Sequence, residues 1–387
     1  MEAITGGRVV IVGGGIIGAS IAYNLTNRGH RDVVLLERHR FGEGATRHAT
    51  GGIRQQFSSR VNVELSRRSI PFWENFEDIT GSPLDFRRHG YMFLLSDEAE
   101  FETFRNSIAM QRELGVTVHE LRSDEIADVF PAARVDDLVG GTYTPEDGSA
   151  SPSDALAGLL RAARAKGLEV CQQTHVYGLL RTSEGSIRAV ETSAGPVAAE
   201  HVIIAAGPQS RVVGRECGVT IPVFPHSRQA FATAPVHAIN SRLPLTVDMA
   251  TGAYVHPEPA GGTAVIGGND RDVNSSEIAS VDWSRVSDLA QAVMGRFPAL
   301  ADLEITNGWA GLREMTPDDH AIVGPVEEQP GLWVVAGFSG HGFMQSPAVG
   351  EAAANWLLDG DPGLDLSALS LSRFTSASTP ESETAVF

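Results

Sequence analysis

The sequence predicts an α/β fold, because two apolar runs and a glycine-rich turn follow one another near its beginning. Residues 8–12 (RVVIV) contain a short continuous apolar run of the kind found in buried parallel strands. Glycines come next, then a helical pattern, and then a second apolar run at residues 33–36 that leads into Glu37. This order of strand, turn, helix and strand predicts a βαβ unit that binds a dinucleotide.

The glycine turn carries the chemical argument. Gly13, Gly15 and Gly18 fill the pattern G-x-G-x-x-G. In such a turn the first glycine permits the tight bend, the second lets the backbone approach a pyrophosphate, and the third lets the helix pack on the strand. The helix N-terminus would offer N–H groups to the phosphates, and Glu37 would accept hydrogen bonds from the adenosine ribose. The turn alone does not decide between NAD and FAD.

The composition limits the classes of function. A length of 387 residues favours two intertwined domains, and the net charge of −18 argues against nucleic acid and anionic membranes as partners. Cys171 and Cys217 are too few for a disulfide framework, so we expect a reduced, cytoplasmic protein. We expect no signal peptide and no membrane span, and no cluster of His, Cys and Asp has the spacing of a metal site.

Three further segments indicate a family. They are residues 42–56 (GEGATRHATGGIRQQ), residues 309–318 (WAGLREMTPD) and residues 337–343 (GFSGHGF). Together and in this order they resemble the D-amino-acid oxidase superfamily, which includes glycine oxidase, sarcosine oxidase and dehydrogenase, dimethylglycine dehydrogenase and the proline dehydrogenase β subunit. The resemblance extends from about residue 8 to residue 358, and it implies that the dinucleotide is FAD.

The resemblance implies a mixed α/β (α+β) architecture in which two domains interleave. A Rossmann-like FAD-binding domain would comprise residues 1–84, 146–218 and 308–373. A substrate domain built on a large, mainly antiparallel sheet would comprise residues 85–145 and 219–307. Strand-like runs at residues 90–95, 201–207 and 252–268 agree with this division. Residues 374–387 are rich in Ser, Thr and Glu, so we expect a flexible tail there.

The resemblance also assigns FAD-binding residues, from the glycine turn to the loop that faces the flavin. They are Gly13, Gly15, Ile16, Ile17, Gly18, Glu37, Arg38, Gly44, Ala45, Thr46, His48, Ala49, Gly51, Gly52, Val176, Ala206, Gly207, Gly311, Arg313, Gly337, Ser339, Gly340, His341, Gly342, Phe343 and Met344. Val176 would lie beside the adenine. A helix with Ser346 as N-cap, Pro347 as its first residue and Gly360 at its end would point its positive end at the flavin.

Two arginines are the candidates for substrate contact. Arg313 matches the arginine that binds the substrate carboxylate in glycine oxidase and D-amino-acid oxidase, and Arg54 resembles a carboxylate-binding arginine of sarcosine oxidase. A guanidinium pairs with a carboxylate through two parallel hydrogen bonds, which fixes the orientation that hydride transfer requires. The alternatives are a surface or salt-bridge role for Arg313 and an ordering of the flavin loop for Arg54.

Two histidines are expected near the flavin. His48 lies in a segment similar to that of dimethylglycine and sarcosine dehydrogenases, whose histidine is bonded to the flavin 8α carbon. We favour non-covalent FAD, with covalent attachment through His48 as the alternative. His341 would either line the active site, as a third catalytic candidate, or brace its loop, and an ordinary pKa near 6.5 leaves a protonation role open.

Comparison with monomeric sarcosine oxidase bears on the electron acceptor. Gly311 falls where that enzyme has its flavin-bonded cysteine, and Met344 where it has a carboxylate-binding lysine. By a looser alignment, Val265 falls where it has the lysine that activates oxygen. A cation beside the flavin stabilises developing superoxide, so the loss of that lysine slightly favours a dehydrogenase over an oxidase.

The sequence therefore predicts FAD-dependent oxidation of the C–N bond of a small amino acid or N-alkyl amino acid, such as glycine, sarcosine, proline or a D-amino acid. Hydride would pass to flavin N5, water would hydrolyse the imine, and O2 or another acceptor would take the electrons. Three alternatives stay open. The chain would be the FAD-carrying subunit of a hetero-oligomeric amine dehydrogenase, a flavin-dependent 2-hydroxy acid dehydrogenase, or an NAD-dependent dehydrogenase.

Overall fold

The computed structural model describes residues 6–258, 261–268, 276–375 and 381–385, so parts of the predicted run 252–268, of the substrate domain and of the tail lie outside the described residues. The strands are β1 Val9–Val12, β2 Val33–Leu36, β3 Gly52–Ile53, β4 Tyr91–Leu95, β5 His119–Leu121, β6 Gly140–Thr144, β7 Gly148–Ser149, β8 Glu169–Cys171, β9 Val176–Arg181, β10 Ile187–Thr192, β11 Val197–Ala198, β12 His201–Ile204, β13 Phe224–Thr233, β14 Leu245–Asp248, β15 Tyr254–Pro257, β16 Ala264–Gly267, β17 Ile305–Met315, β18 Ile322–Pro325 and β19 Leu332–Ala336. The helices are α1 Ile16–Asn27, α2 Ala45–His48, α3 Arg60–Glu74, α4 Phe76–Thr80, α5 Glu98–Glu113, α6 Ser123–Val129, α7 Pro152–Ala165, α8 Ser210–Glu216, α9 Val286–Arg296 and α10 Gly342–Asp359. Within the described ranges, no helix is long and apolar enough to cross a membrane.

The first large sheet has six strands in the order β18–β19–β12–β1–β2–β8. Neighbouring strands are parallel except for β18 and β19, which are antiparallel. Val9 and Ile11 join the core formed with α1, α7 and α10, whereas Val10 and Val12 join a second core on the opposite face. Because both faces of β1 are buried, its sequence is continuously apolar rather than alternating.

The second large sheet has eight strands in the order β17–β13–β16–β15–β14–β4–β6–β5. Neighbouring strands are antiparallel except for β14 and β4, which confirms a large, mainly antiparallel sheet. The longest pairing joins β13 and β17, and it places Arg313 opposite His226. The expected domain boundary between residues 307 and 308 falls inside β17, which continues unbroken along β13 from residue 305 to residue 315.

The helix after His341 begins earlier than its sequence predicts. Ser346 and Pro347 are not its N-cap and first residue, because α10 starts at Gly342, directly after His341. Pro347 has no N–H to donate to the carbonyl oxygen four residues before it, and the Ser346 hydroxyl donates to that Phe343 oxygen instead, at 2.9 Å. The predicted end is correct, since Gly360 adopts a left-handed conformation with φ 78°.

The tail is not wholly flexible, contrary to its composition. Glu383 and Ala385 are buried, with 2% and 5% of their surfaces exposed. Glu383 accepts hydrogen bonds from residues at the start of α3, so its charge is satisfied within the fold rather than by water. Residues 376–380 and 386–387 of the expected flexible tail lie outside the described residues.

Candidate functional site

A cavity of about 470 Å³ is lined by residues from both large sheets. Its wall includes the glycine turn before α1, helix α2, strand β17 and the loop that joins β19 to α10. All the predicted FAD-binding and catalytic residues line this cavity except Gly18 and Gly337. The predicted residues therefore line one connected cavity, although they come from distant parts of the chain.

The glycine turn leaves bare backbone on the cavity side. Gly13 has φ 120°, and a β-carbon there would overlap the carbonyl oxygen of Ala205, so only glycine fits. At Gly15 the only atom near an added β-carbon is the Thr46 Oγ1, at 3.3 Å. Gly18 faces Gly13 rather than the cavity, and its role is close packing. The open backbone at Gly15 and the N-terminus of α1 fit a pyrophosphate.

Glu37 is fixed at the end of β2. One carboxylate oxygen accepts the Gly14 N–H at 2.8 Å, and the other accepts the His39 N–H at 2.8 Å. A carboxylate oxygen accepts more than one hydrogen bond, so both retain capacity for hydroxyl donors from the cavity. Arg38 and Val176 line the same cavity. This donor and acceptor set fits the adenosine part of a dinucleotide.

Helix α2 carries His48 into the cavity wall. Its Nδ1 lies 3.1 Å from the Gly44 carbonyl oxygen. A carbonyl can only accept, so Nδ1 holds the proton of the neutral ring and Nε2 presents a lone pair. The helix is fixed against β17, because the Trp309 indole N–H donates to the His48 carbonyl oxygen at 3.1 Å.

Two hydrogen bonds to Glu314 hold the loop between β19 and α10. The Glu314 carboxyl group accepts the Gly337 N–H at 3.0 Å, and its backbone oxygen accepts the Ser339 N–H at 3.0 Å. Burial raises the pKa of Glu314 to about 7, against the opposing effect of the Gly337 and Phe338 N–H groups. Gly337 does not line the cavity. It adopts a left-handed backbone conformation, with φ 78°, at the point where the loop begins.

The two predicted arginines lie at one part of the cavity. Arg313 packs under the loop, since a β-carbon on Gly340 would lie 3.0 Å from the Arg313 Nε. Arg54 is buried, with 4% of its surface exposed, and its guanidinium stacks 3.9 Å from the centre of the Phe57 ring. Burial lowers the pKa of Arg54; the nearby Tyr91, Glu383 and Asp147 oppose this, and the charge of Arg313 adds a smaller lowering. Two close cations in a low-dielectric site attract a small anion.

Arg54 is also held from behind the cavity wall. It donates to the backbone oxygens of Gln56 and Ala385, the latter at 2.5 Å. Arg54 thus lines the cavity and is also bonded to backbone behind its wall, a position compatible with both roles that its sequence left open.

Sequence reasoning missed two tyrosines of the eight-stranded sheet. Tyr91 on β4 and Tyr254 on β15 line the cavity near the arginines. Burial raises the pKa of Tyr91, so its hydroxyl stays protonated and can donate a hydrogen bond. All residues of β4 are buried, so no polar alternation marks the face that carries Tyr91.

His341 lines the cavity as a neutral imidazole. It is 1% exposed, and its ring centre lies 5.2 Å from that of Phe57. Burial lowers the pKa of His341 to about 3, and the nearby charge of Arg54 contributes to this. The ring is thus uncharged at neutral pH, which disfavours the protonation role that the sequence left open.

Val265, which aligns loosely with the oxygen-activating lysine, packs in one buried cluster with Tyr254 and Leu245 of the cavity wall. Val265 is buried on β16 and is not among the residues that line the cavity. Met344 does line it, and its carbonyl oxygen accepts the Trp73 indole N–H at 3.1 Å. No lysine is among the described residues that line the cavity, so the slight preference for a dehydrogenase over an oxidase stays a prediction.

Comparison with known proteins agrees with this geometry. The DAO family, described as FAD dependent oxidoreductase, matches residues 8–356. The 4-methylaminobutanoate oxidase (formaldehyde-forming) of Paenarthrobacter nicotinovorans is 27% identical over 95% of this chain and 46% of its own length. Mouse mitochondrial sarcosine dehydrogenase is 28% identical over 95% of this chain and 41% of its own length. The chain thus spans less than half the length of these relatives.

Solved structures match over nearly their whole length. The structure of L-proline dehydrogenase from P. horikoshii has a TM-score of 0.89 and 29% identity, covering 97% of this chain and 99% of that one. Glycine oxidase from Geobacillus kaustophilus has a TM-score of 0.83 and 27% identity, covering 95% and 98%. These matches confirm the fold class that the sequence predicts.

Proposed function

Because this chain belongs to the DAO family of FAD-dependent oxidoreductases, we propose that it oxidises the C–N bond of a small amino acid or N-alkyl amino acid. The observation that carries the proposal is the pair Arg54 and Arg313, whose side chains line one cavity and whose charges interact. The relatives named for oxidation of sarcosine and 4-methylaminobutanoate support an N-methyl substrate. An imine product would hydrolyse in water to a carbonyl compound and an amine.

FAD would be held along the cavity wall. Gly15 and the N-terminus of α1 would bind the pyrophosphate, Glu37 the ribose, and Val176 would contact the adenine. Helix α10 would direct its N–H groups, from Gly342 onward, at the part of the flavin that gains negative charge. When bound, the flavin supplies the hydride acceptor. We propose the domain division at the boundaries stated above, except that residues 308–315 join the substrate domain with the rest of β17.

The chain's own residues would orient the substrate. Arg313 and Arg54 would bind its carboxylate, which leaves the amine and its neighbouring C–H bond to be directed at the flavin. The hydroxyls of Tyr91 and Tyr254 would add hydrogen-bond donors at the same place. No base is assigned, because neutral His341 is a poor proton acceptor and the amine lone pair assists the departure of hydride.

We propose O2 or another oxidant as the electron acceptor, and a cytoplasmic location, which the two free cysteines support. A second candidate is the FAD-carrying subunit of a hetero-oligomeric amine dehydrogenase. It is favoured by the resemblance of residues 51–56 (GGIRQQ) to the proline dehydrogenase β subunit. Native mass measurement of the purified protein would distinguish one chain type from a mixed complex.

The test is anaerobic reduction of the FAD-loaded protein by candidate substrates. The visible spectrum of the flavin monitors the reduction. We expect bleaching by at least one member of a panel of glycine, sarcosine, 4-methylaminobutanoate, proline and D-amino acids. The matching 2-hydroxy acids serve as the control. Bleaching by hydroxy acids alone would replace the proposal with a 2-hydroxy acid dehydrogenase. A protein that binds no FAD would contradict the whole proposal.

A further inference from the structure

The tail segment, which we define as residues 381–385, contacts the cavity wall from outside. Glu383 and Ala385 are buried in it, whereas Glu381, Ser382 and Thr384 are exposed. None of its residues lines the cavity. Ala385 nevertheless touches Arg54, which does line it. The tail segment can therefore influence the site only through the residues it holds.

The Glu383 carboxylate binds the beginning of α3. One oxygen accepts from the Ser58 N–H at 2.7 Å and the Ser58 hydroxyl at 2.5 Å. The other accepts from the Ser59 N–H at 3.1 Å, the Ser59 hydroxyl at 2.7 Å and the Asn62 amide at 2.9 Å. Burial alone would raise the pKa of Glu383, but these donors lower it to about 2. An ionised carboxylate at a helix N-terminus is also favoured by the helix dipole.

The same carboxylate orders the contact with Arg54. The Ala385 N–H donates to a Glu383 carboxylate oxygen at 3.0 Å, which turns the chain back on itself. The Ala385 carbonyl oxygen then accepts from the Arg54 guanidinium at 2.5 Å. The same guanidinium also stacks on the Phe57 ring. Glu383 therefore bonds to the same residue, Ala385, whose carbonyl oxygen receives the Arg54 guanidinium.

The tail segment reaches the Arg313 segment as well. The Glu383 N–H donates to the backbone oxygen of Asp318 at 3.0 Å. Asp318 lies just beyond the end of β17 and forms a buried ion pair with Arg373 at 2.7 Å. One short segment thus connects the stretch that carries Arg54 with the stretch that follows Arg313.

We propose that Glu383 is a positioning residue for substrate carboxylate binding, which acts by holding Arg54 through the Ala385 carbonyl. This inference rests on the proposed function, in which Arg54 receives a carboxylate. A guanidinium held on two sides loses little side-chain entropy when an anion arrives, so its affinity for that anion is higher. Without Glu383, Arg54 would keep its contacts with Gln56 and Phe57 but lose a fixed Ala385 oxygen, so the ligand would have to supply part of its ordering.

The experiment measures the dissociation constant of acetate from the FAD-loaded protein. The change in flavin absorbance reports the binding. The Glu383→Ala variant should bind acetate at least tenfold more weakly than the unchanged protein, and Glu383→Gln should show a smaller loss. Glu381→Gln is the matched control, because it removes the same charge from an exposed position of the tail segment, and it should leave the dissociation constant within twofold. Melting temperatures establish that each variant is folded, and Glu383→Gln decides the question if Glu383→Ala does not fold.

The role through Arg54 is tested by repeating the substitution in an Arg54→Met background. There, Glu383→Gln or Glu383→Ala should change acetate affinity by less than twofold, because the group it positions is gone. An equal loss in both backgrounds, unchanged affinity in the single variants, or no acetate binding by the unchanged protein would overturn the proposal. Acetate binding without reduction by any amine would remove the proposed function and leave the positioning role standing.

Discussion

Gly311 lies so close to His48 that a β-carbon on Gly311 would be 2.5 Å from the β-carbon of His48. This contact joins β17, which carries Arg313, to α2, which lines the cavity beside the glycine turn. The glycine is therefore a packing requirement, and it sets the distance between the part of the site assigned to substrate and the part assigned to FAD.

Substitution of Gly311 by alanine should weaken FAD binding. The added methyl group must push α2 away from β17, because backbone and a ring-bearing side chain cannot both move aside at small cost. We expect the FAD dissociation constant to rise at least tenfold in a fluorescence titration. Gly295→Ala is the control, since nothing lies within 4 Å of a β-carbon there. Equal FAD affinity in both variants would contradict the packing argument.

FAD should be released by acid precipitation, because we favour non-covalent binding. His48 nevertheless presents an Nε2 lone pair, since its Nδ1 donates to Gly44. The yellow colour should therefore appear in the supernatant after the protein is precipitated. Colour that stays in the pellet, and that moves to the supernatant in His48→Ala, would establish a covalent bond through His48 instead.

Replacement of Arg313 by methionine should lower the efficiency of flavin reduction by a carboxylate-bearing substrate. Loss of a bidentate, charge-assisted pair costs roughly 3–4 kcal/mol, which corresponds to about 100-fold to 1000-fold in the second-order rate constant. Stopped-flow reduction under anaerobic conditions measures it. Arg122→Met, at an exposed position, should have no effect. A loss below threefold in Arg313→Met would remove this residue from the substrate site.

Thermal stability should fall with rising pH through the titration of Glu314. Its pKa in the folded protein is about 7, whereas its ordinary value is 4.5. Between these values the folded state binds more protons than the unfolded chain, so the free energy of unfolding decreases as pH rises, by about 3 kcal/mol for this group. Asp147, with a pKa raised by burial to about 7, acts in the same direction.

The Glu314→Gln variant isolates this effect. Because glutamine does not titrate, the melting temperature of the variant relative to the unchanged protein should increase from about pH 5 to pH 7 and level off above that. Asp136→Asn removes a charge from an exposed carboxylate and should show no such trend. A constant difference between Glu314→Gln and the unchanged protein over this range would mean that folding does not raise the pKa of Glu314.

The sequence predicted best where local pattern and global fold agree. The apolar runs at residues 8–12 and 33–36 correspond to β1 and β2 in the structure, and for β2 the predicted and observed bounds are the same. These strands are predictable because buried parallel strands need apolar side chains on both faces. The glycine turn was equally readable, since Gly13 and Gly18 meet backbone atoms that no side chain could share.

Where tertiary contacts override local preference, the sequence misled. Ser346 and Pro347 have the character of a helix start, but the Ser346 hydroxyl satisfies the oxygen that Pro347 leaves open, so α10 continues through them. The polar tail reads as disordered, yet Glu383 finds donors at the start of α3 that its own neighbours do not reveal. Such pairings over more than 300 positions leave no local signal.

The central claim is oxidation of a C–N bond by the FAD-loaded chain. Its most direct test is a single anaerobic turnover in which reduced flavin and carbonyl product are both quantified for an N-methyl amino acid such as sarcosine. The claim predicts one equivalent of formaldehyde for each flavin reduced, because the imine formed at the methyl group hydrolyses in water. Oxidation at the Cα–N bond would instead yield one equivalent of a keto acid or aldehyde acid. Flavin reduction without any carbonyl product from an amine would contradict the claim.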